Sequence, residues 1–179
     1  INIGKYKGFE SKQDYDLFFS GRKDKDRKKL IDFMQKSFEN INTKIIGQNK
    51  DNTIIGDEYF KLIKMSKICL NHTRTSYMKN KWYTSDRLMH IIGNGSFCIS
   101  RKIIQGEDFF EDKLDYYESN EELYEKVNYY LNNRDLRIKN TEWLYERVHD
   151  LFNSKKIAGY MLDILNENNT NLNKYEWHK

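Results

Sequence analysis

Proline is absent from the 179 residues, and Ala158 is the single alanine. Both amino acids have GC-rich codons, whereas Lys, Asn, Ile and Tyr, which replace them here, have AT-rich ones. The bias marks an AT-rich genome and carries no functional weight. Cysteine is scarce as well. Cys69 and Cys98 each sit in a short apolar run, without C-x-x-C spacing and without a histidine at ligand distance along the chain. This excludes a zinc module of recognisable spacing and a disulfide framework, and predicts two small buried core residues in a reducing cytoplasm. Long apolar runs are missing too, since none approaches the roughly 20 residues needed to cross a bilayer. No signal peptide is visible, so the expected location is cytoplasmic and the expected state soluble. A dominant charge of one sign is the last absence. Lys and Arg number 31 against 27 Asp and Glu, for a net charge of +4, and the two signs alternate along most of the chain. The basic cluster from Arg22 to Lys29 is itself broken by Asp24 and Asp26. Nucleic-acid binders more often carry a sustained basic stripe, so no nucleic-acid partner is expected.

What remains is a hydrophobic fraction of 38% with 15% aromatics, enough at this length for one domain with its own core. Residues 15–19 read as a strand closed by Ser20 and Gly21. Residues 24–38 place Leu30, Phe33, Met34 and Phe38 on one helical face. A second strand covers 44–46 and ends at Gly47. Asp57 is the expected N-cap of a short helix to Lys64. A third strand covers 67–71, and a long aromatic loop runs over 72–84. Ser85 or Thr84 then caps a helix that ends in Gly93-Asn94-Gly95. Strands over 97–99 and 114–117 follow, with a loop carrying Gly106 between them. Helices at 120–132, 134–152 and 154–165 complete the domain at residue 166. The polar tail, 167–179, is expected to fray. Alternating strands and helices predict an α/β, Rossmann-like, mainly parallel sheet flanked by helices. Ligands of such sheets bind beyond the carboxyl ends of the strands, which directs attention to the loops 20–25, 47–56, 71–85 and 100–113.

Four constellations on those loops can carry chemistry. Ser20-Gly21-Arg22, with Arg27 and Lys28 beyond it, is either an anion-binding strand-to-helix turn or an ordinary turn with solvated basic residues. Thr84 and Ser85 offer hydroxyls beside the free amides of a new helix, a place for phosphate oxygens or simply a cap. Arg87, one turn in, can reach a diphosphate or pair with Asp86 or Asp108. His90 shares a face with Arg87 at i+3 and is either a packed residue or a ligand contact. His72 lies at a strand's carboxyl end without a recognisable partner, and His149 and His178 read as surface residues. Glu107 and Asp108 are either acceptors for sugar hydroxyls or solvated acids. No nucleophile elbow, triad or zinc pattern is present.

In order, these pieces resemble the C-terminal domain of GT-B glycosyltransferases, especially the CgeB-like and group 1-like branch. The resemblance runs through DLFFSG at 16–21, SKICLN at 66–71, SDRLMHIIGNGSFCIS at 85–100, the Gly106 to Phe110 loop and SNEELYEKVNYYLNN at 119–133. It implies transfer of a sugar from a nucleoside diphosphate sugar, with this half of a GT-B fold gripping the donor. Gly21 and a basic residue among Arg22, Arg27 and Lys28 would face the diphosphate. Ser85, Asp86 and Arg87 would lie at the helix N-terminus that receives its charge, and no cofactor or metal is implied. Many relatives have a glutamate where His90 falls, which commonly holds the ribose. Ile1 in place of Met, together with the resemblance, implies a preceding acceptor-binding N-terminal domain as partner. Two other readings stay open: an interaction domain of this fold without donor binding, and another nucleotide-binding α/β module.

Overall fold

The computed structural model of the chain describes residues 7–166 and 169–178. Among them, five parallel strands form one sheet: β1 (Tyr15–Ser20), β2 (Thr43–Ile46), β3 (Ser66–Asn71), β4 (Cys98–Arg101) and β5 (Asp115–Tyr117). Seven helices connect and cover them: α1 (Lys25–Ser37), α2 (Gly56–Lys64), α3 (Asp86–Gly93), α4 (Glu107–Phe110), α5 (Asn120–Asn132), α6 (Arg134–Leu151) and α7 (Ser154–Leu165). The strand order is β2-β1-β3-β4-β5, and every neighbouring pair is parallel. None of the helices is long and apolar enough to cross a membrane.

The period of two along β1 builds both layers of the core. Phe18 faces one layer, in which Cys69 and Cys98 meet Phe60 and Ile63 of α2, Leu88, Ile91 and Ile92 of α3, and Leu144 and Val148 of α6. Leu17 and Phe19 face the other, with Ile68, Leu70 and Ile99 against Leu30, Ile31 and Met34 of α1 and Leu123 and Val127 of α5. The α/β, Rossmann-like expectation is therefore correct, including helices on both faces. Cys69 and Cys98 lie opposite one another in the β3–β4 register, free and buried. Burial pushes both thiols above their ordinary range.

The local departures have local causes. The N-cap of α2 is Ile55, not Asp57, because Gly56 takes φ +64° and opens the helix itself. Asp57 lies in the first turn, where its charge suits the helix dipole. The segment between β4 and β5 is more than a loop: α4 buries Phe109 and Phe110. Of the tail expected to fray, 167, 168 and 179 lie outside the described residues, and the rest is anchored at points rather than frayed throughout. A 3₁₀ turn at Asn169–Lys174 leads to the buried Leu172 and Tyr175, and Trp177 stacks on Phe152 at 6.0 Å. His149 is half-buried, with Nε2 at 2.9 Å from the Gly93 carbonyl.

Candidate functional site

From β1 the chain passes first to β2 on one side and then to β3 on the other. The carboxyl ends of β1 and β3 thus flank the topological switch point, where open α/β sheets bind ligands. Gly21 follows β1 directly, and its amide donates to the Ile46 carbonyl at 3.0 Å. A Cβ at Gly21 would come within 2.8 Å of the Phe19 ring, so only glycine lets the chain turn this tightly. The turn delivers α1, whose N-cap Asp24 accepts the Arg27 amide at 3.2 Å.

On the far side of the switch point, Ser85 caps α3 by accepting the Leu88 amide at 3.2 Å, as expected. Its hydroxyl donates in turn to Asn71 Oδ1 at 2.9 Å, and Asn71 Nδ2 donates to the Ser100 hydroxyl at 2.9 Å. Buried Asn71 thereby ties the start of α3 to the ends of β3 and β4.

Guanidinium groups converge over this frame. Arg27 is only 8% exposed, pairs with Asp24 at 3.6 Å, and keeps Nε buried without a partner among the described residues. Asp24 is shared with Arg74 at 3.2 Å. Arg87 lies over the Phe19 ring at 5.3 Å and donates to the His72 carbonyl at 3.2 Å. Arg101 donates to the Thr73 carbonyl at the same distance. Arg87 pairs with neither Asp86 nor Asp108, the one alternative the sequence offered; it reaches the backbone just beyond β3 instead. Among the described residues, Arg87 and Arg101 have no carboxylate partner. Burial, reinforced by the charge of Arg27, lowers the Arg87 pKa to about 10. Burial also lowers that of Arg27, opposed by Asp24 and reinforced by Arg74.

His72 closes the wall beneath them. Its imidazole is buried, with Nδ1 at 2.7 Å from the Tyr117 hydroxyl. Desolvation and the charges of Arg101, Arg27 and Arg87, opposed by a hydrogen bond with the Asp26 backbone, lower its pKa to about 3, so the ring is neutral. A neutral ring at 2.7 Å from a phenol fits the tautomer in which Tyr117 donates to Nδ1.

The eight residues singled out in the sequence are not all brought together. Gly21, Arg27, Ser85 and Arg87 meet around the switch point. Arg22, Lys28 and Asp86 are exposed around it. His90 lies farther along α3, edge-on to Tyr59 at 5.8 Å and to Phe60 at 5.2 Å. Its pKa is lowered by burial, against the opposing charge of Asp86, and neither ring nitrogen hydrogen-bonds a described residue. Glu107 and Asp108 are engaged internally, Glu107 with Lys102 at 2.6 Å and Asp108 with the Trp82 indole at 2.9 Å. Sequence reasoning missed Asn71, Arg74, Arg101 and Tyr117. Only a position at or just beyond strand ends marked them, Arg74 lying in the loop after β3, and pairing between distant strands made the site. A cavity of about 450 Å³ opens at this same edge, yet none of the eight lines it.

Comparison with known proteins adds the family. Residues 22–163 match the family described as glycosyl transferase-like. Among solved structures, the fold is similar to sucrose-phosphate synthase from Thermosynechococcus elongatus, with a TM-score of 0.65 and 14% identity. That match covers 93% of this chain and 50% of the other, so the chain spans about half the length of that structure. No curated protein matches the sequence.

Proposed function

The chain belongs to the glycosyl transferase-like family, and from that premise we propose that it is the donor-binding domain of an enzyme that transfers a sugar from a nucleoside diphosphate sugar. The observation that carries this reading is the pair Arg27 and Arg87. Both guanidinium groups are largely buried, the charge of Arg27 lowers the pKa of Arg87, and one carboxylate, Asp24, serves Arg27 and Arg74 together. Holding like charges close in a partly dry site costs folding energy, and a bound anion is what offsets it. The start of α3 faces the same place with first-turn amides that have no acceptor inside the helix.

Transfer breaks the bond between the anomeric carbon and the diphosphate oxygen, and negative charge grows on the leaving diphosphate. Arg27, Arg87 and the α3 amides would stabilise that charge, a contribution that needs no metal ion to supply it. Gly21 would let the backbone approach the phosphates, and Arg22 and Lys28 would add an outer field. Ser85 would hold the first turn of α3 in register, and Asp86 would lie beside it. The free nitrogens of His90 would serve a ribose hydroxyl. The acceptor and the catalytic base would come from an N-terminal domain. A thermal-shift panel with UDP, GDP, ADP and FMN, without added metal, tests the reading. One nucleoside diphosphate at about 100 times its dissociation constant raises stability by roughly 2.7 kcal/mol. A shift with FMN alone, or with none of them, would sink it.

A further inference from the structure

Helix α7 turns its polar side to the protein and its apolar side outward. Its N-cap Asn153 accepts the Lys156 amide at 2.9 Å. On the inward side, Asp163 accepts from the Tyr175 hydroxyl and from the Lys174 ammonium, each at 2.9 Å. The Tyr160 ring meets those of Tyr175 and Trp177 edge-on at 5.0 and 5.9 Å. Gly159 lets the tail lie this close, since a Cβ there would come within 2.9 Å of the Tyr175 hydroxyl. The outward arc is apolar, formed by Ile157, Ala158, Met161, Leu162, Ile164 and Leu165. All six are exposed, Met161 by 59% and Leu165 by 76%. None belongs to either layer of the core, and α7 buries no residue among those described. An amphipathic helix with its apolar arc in water is built for a partner.

Two features of the arc point to a second copy of the same chain. The first is symmetry. Four and three positions before Met161 stand Ile157 and Ala158, and three and four positions after it stand Ile164 and Leu165. The row therefore reads alike in both directions. Two such helices crossing antiparallel at Met161 bring Ile157 of each opposite Leu165 of the other, and small Ala158 opposite larger Ile164. That is the self-complementarity a two-fold interface requires. Lys155, exposed in the first turn, then meets the carboxyl end of the second helix, where a cation suits the dipole and the last carbonyls. The second feature is area. Burying the five large side chains removes on the order of 500 Å² from each chain, about 1,000 Å² in all, where a specific but weak interface begins. A lipid surface fits less well, because a helix lying on lipid carries cations along its polar face. On α7 the two lysines, Lys155 and Lys156, are confined to the first turn, and Lys156 is paired with Asp150 at 2.8 Å.

We propose that α7 is a dimerisation helix, through which two copies of the chain pair antiparallel with their two-fold axis at Met161. The surface shares no residue with the site at the strand ends, and the inference stands independently of the donor reading.

Sedimentation equilibrium of the whole chain, from about 1 to about 100 μM, tests this. The mass is expected to double reversibly within that range. Met161→Glu alters an exposed side chain outside both core layers and should weaken the dimer by about tenfold or more. The geometry is read separately by cross-linking. Cys69 and Cys98 are buried, so Met161→Cys supplies one accessible thiol, and a short bis-maleimide should join two copies through it. Ile157→Cys should cross-link poorly by itself and well when mixed with Leu165→Cys. A single-chain mass throughout the range overturns the proposal, whether or not the chain binds anionic vesicles. A dimer of unaltered strength in Met161→Glu overturns it too, as does a dimer that Met161→Cys fails to cross-link.

Discussion

The two ends of β3 and β4 are built to different rules. At the amino end, three buried polar side chains turn back onto the nearby backbone of α2, and only the Asn94 Oδ1 among their polar atoms is left without a described partner. Ser66 donates to the Leu62 carbonyl at 2.6 Å, Asn94 to that of Phe60 at 3.2 Å, and Ser96 to that of Ile63 at 3.1 Å. At the carboxyl end, buried polar atoms stay open instead. Arg27 Nε and Thr73 Oγ1 have no partner among the described residues, and the charges of Arg27 and Arg87 crowd together. Closure at one end stabilises the sheet, and the capacity left at the other is what a ligand can use.

This contrast can be broken from either side. The largest effect belongs to the closed end. Phe97, 2% exposed and packed on the Tyr130 ring at 4.5 Å, fills the space ahead of β4. Phe97→Ala should cost about 3–5 kcal/mol of stability in urea unfolding, while folded protein keeps its affinity for nucleoside diphosphate. At the open end the pattern reverses. Arg87→Ala should weaken nucleoside diphosphate binding by about 1.5–3 kcal/mol in titration calorimetry, with a smaller effect on unfolding. Unchanged affinity in the folded variant would remove Arg87 from the site.

The smallest effect is in the pH dependence. His72 has its pKa lowered from 6.5 to about 3. Between those values the unfolded chain binds a proton that the folded chain refuses, so stability is full above about pH 6.5 and falls as pH drops toward 3. Burial of His90 acts in the same direction. His72→Asn should flatten the change in unfolding midpoint between about pH 7 and about pH 5, a difference of roughly 1–2 kcal/mol. An unaltered slope would mean that the ring already titrates freely in the folded protein.

The sequence carried most of the frame because the frame is local. The run at residues 15–19 closed by Ser20 and Gly21 marked β1, Ser85 marked the start of α3, and the helical pattern from Ser119 onward marked α5. Each signal lies within a few residues of the feature it specifies. The site was legible only at its glycine turn, its cap and its first two arginines. His72 and Tyr117 are 45 positions apart and meet because β3 and β5 flank β4. Arg101 reads in sequence as the end of a strand, and only strand order brings it to the Thr73 carbonyl. The buried tail had the same obscurity. Leu172, Tyr175 and Trp177 are spaced irregularly among Asn and Lys, and their packing is set by α7 and Phe152 rather than by a period of their own.

The most direct test of the contrast between the two ends is an amide chemical-shift map of the chain titrated with the nucleoside diphosphate that stabilises it. The account predicts shifts at Gly21, Arg27, His72, Thr73 and the first turn of α3, with Ser66, Asn94 and Ser96 unmoved. Shifts centred on the amino end, or none at the start of α3, would contradict it.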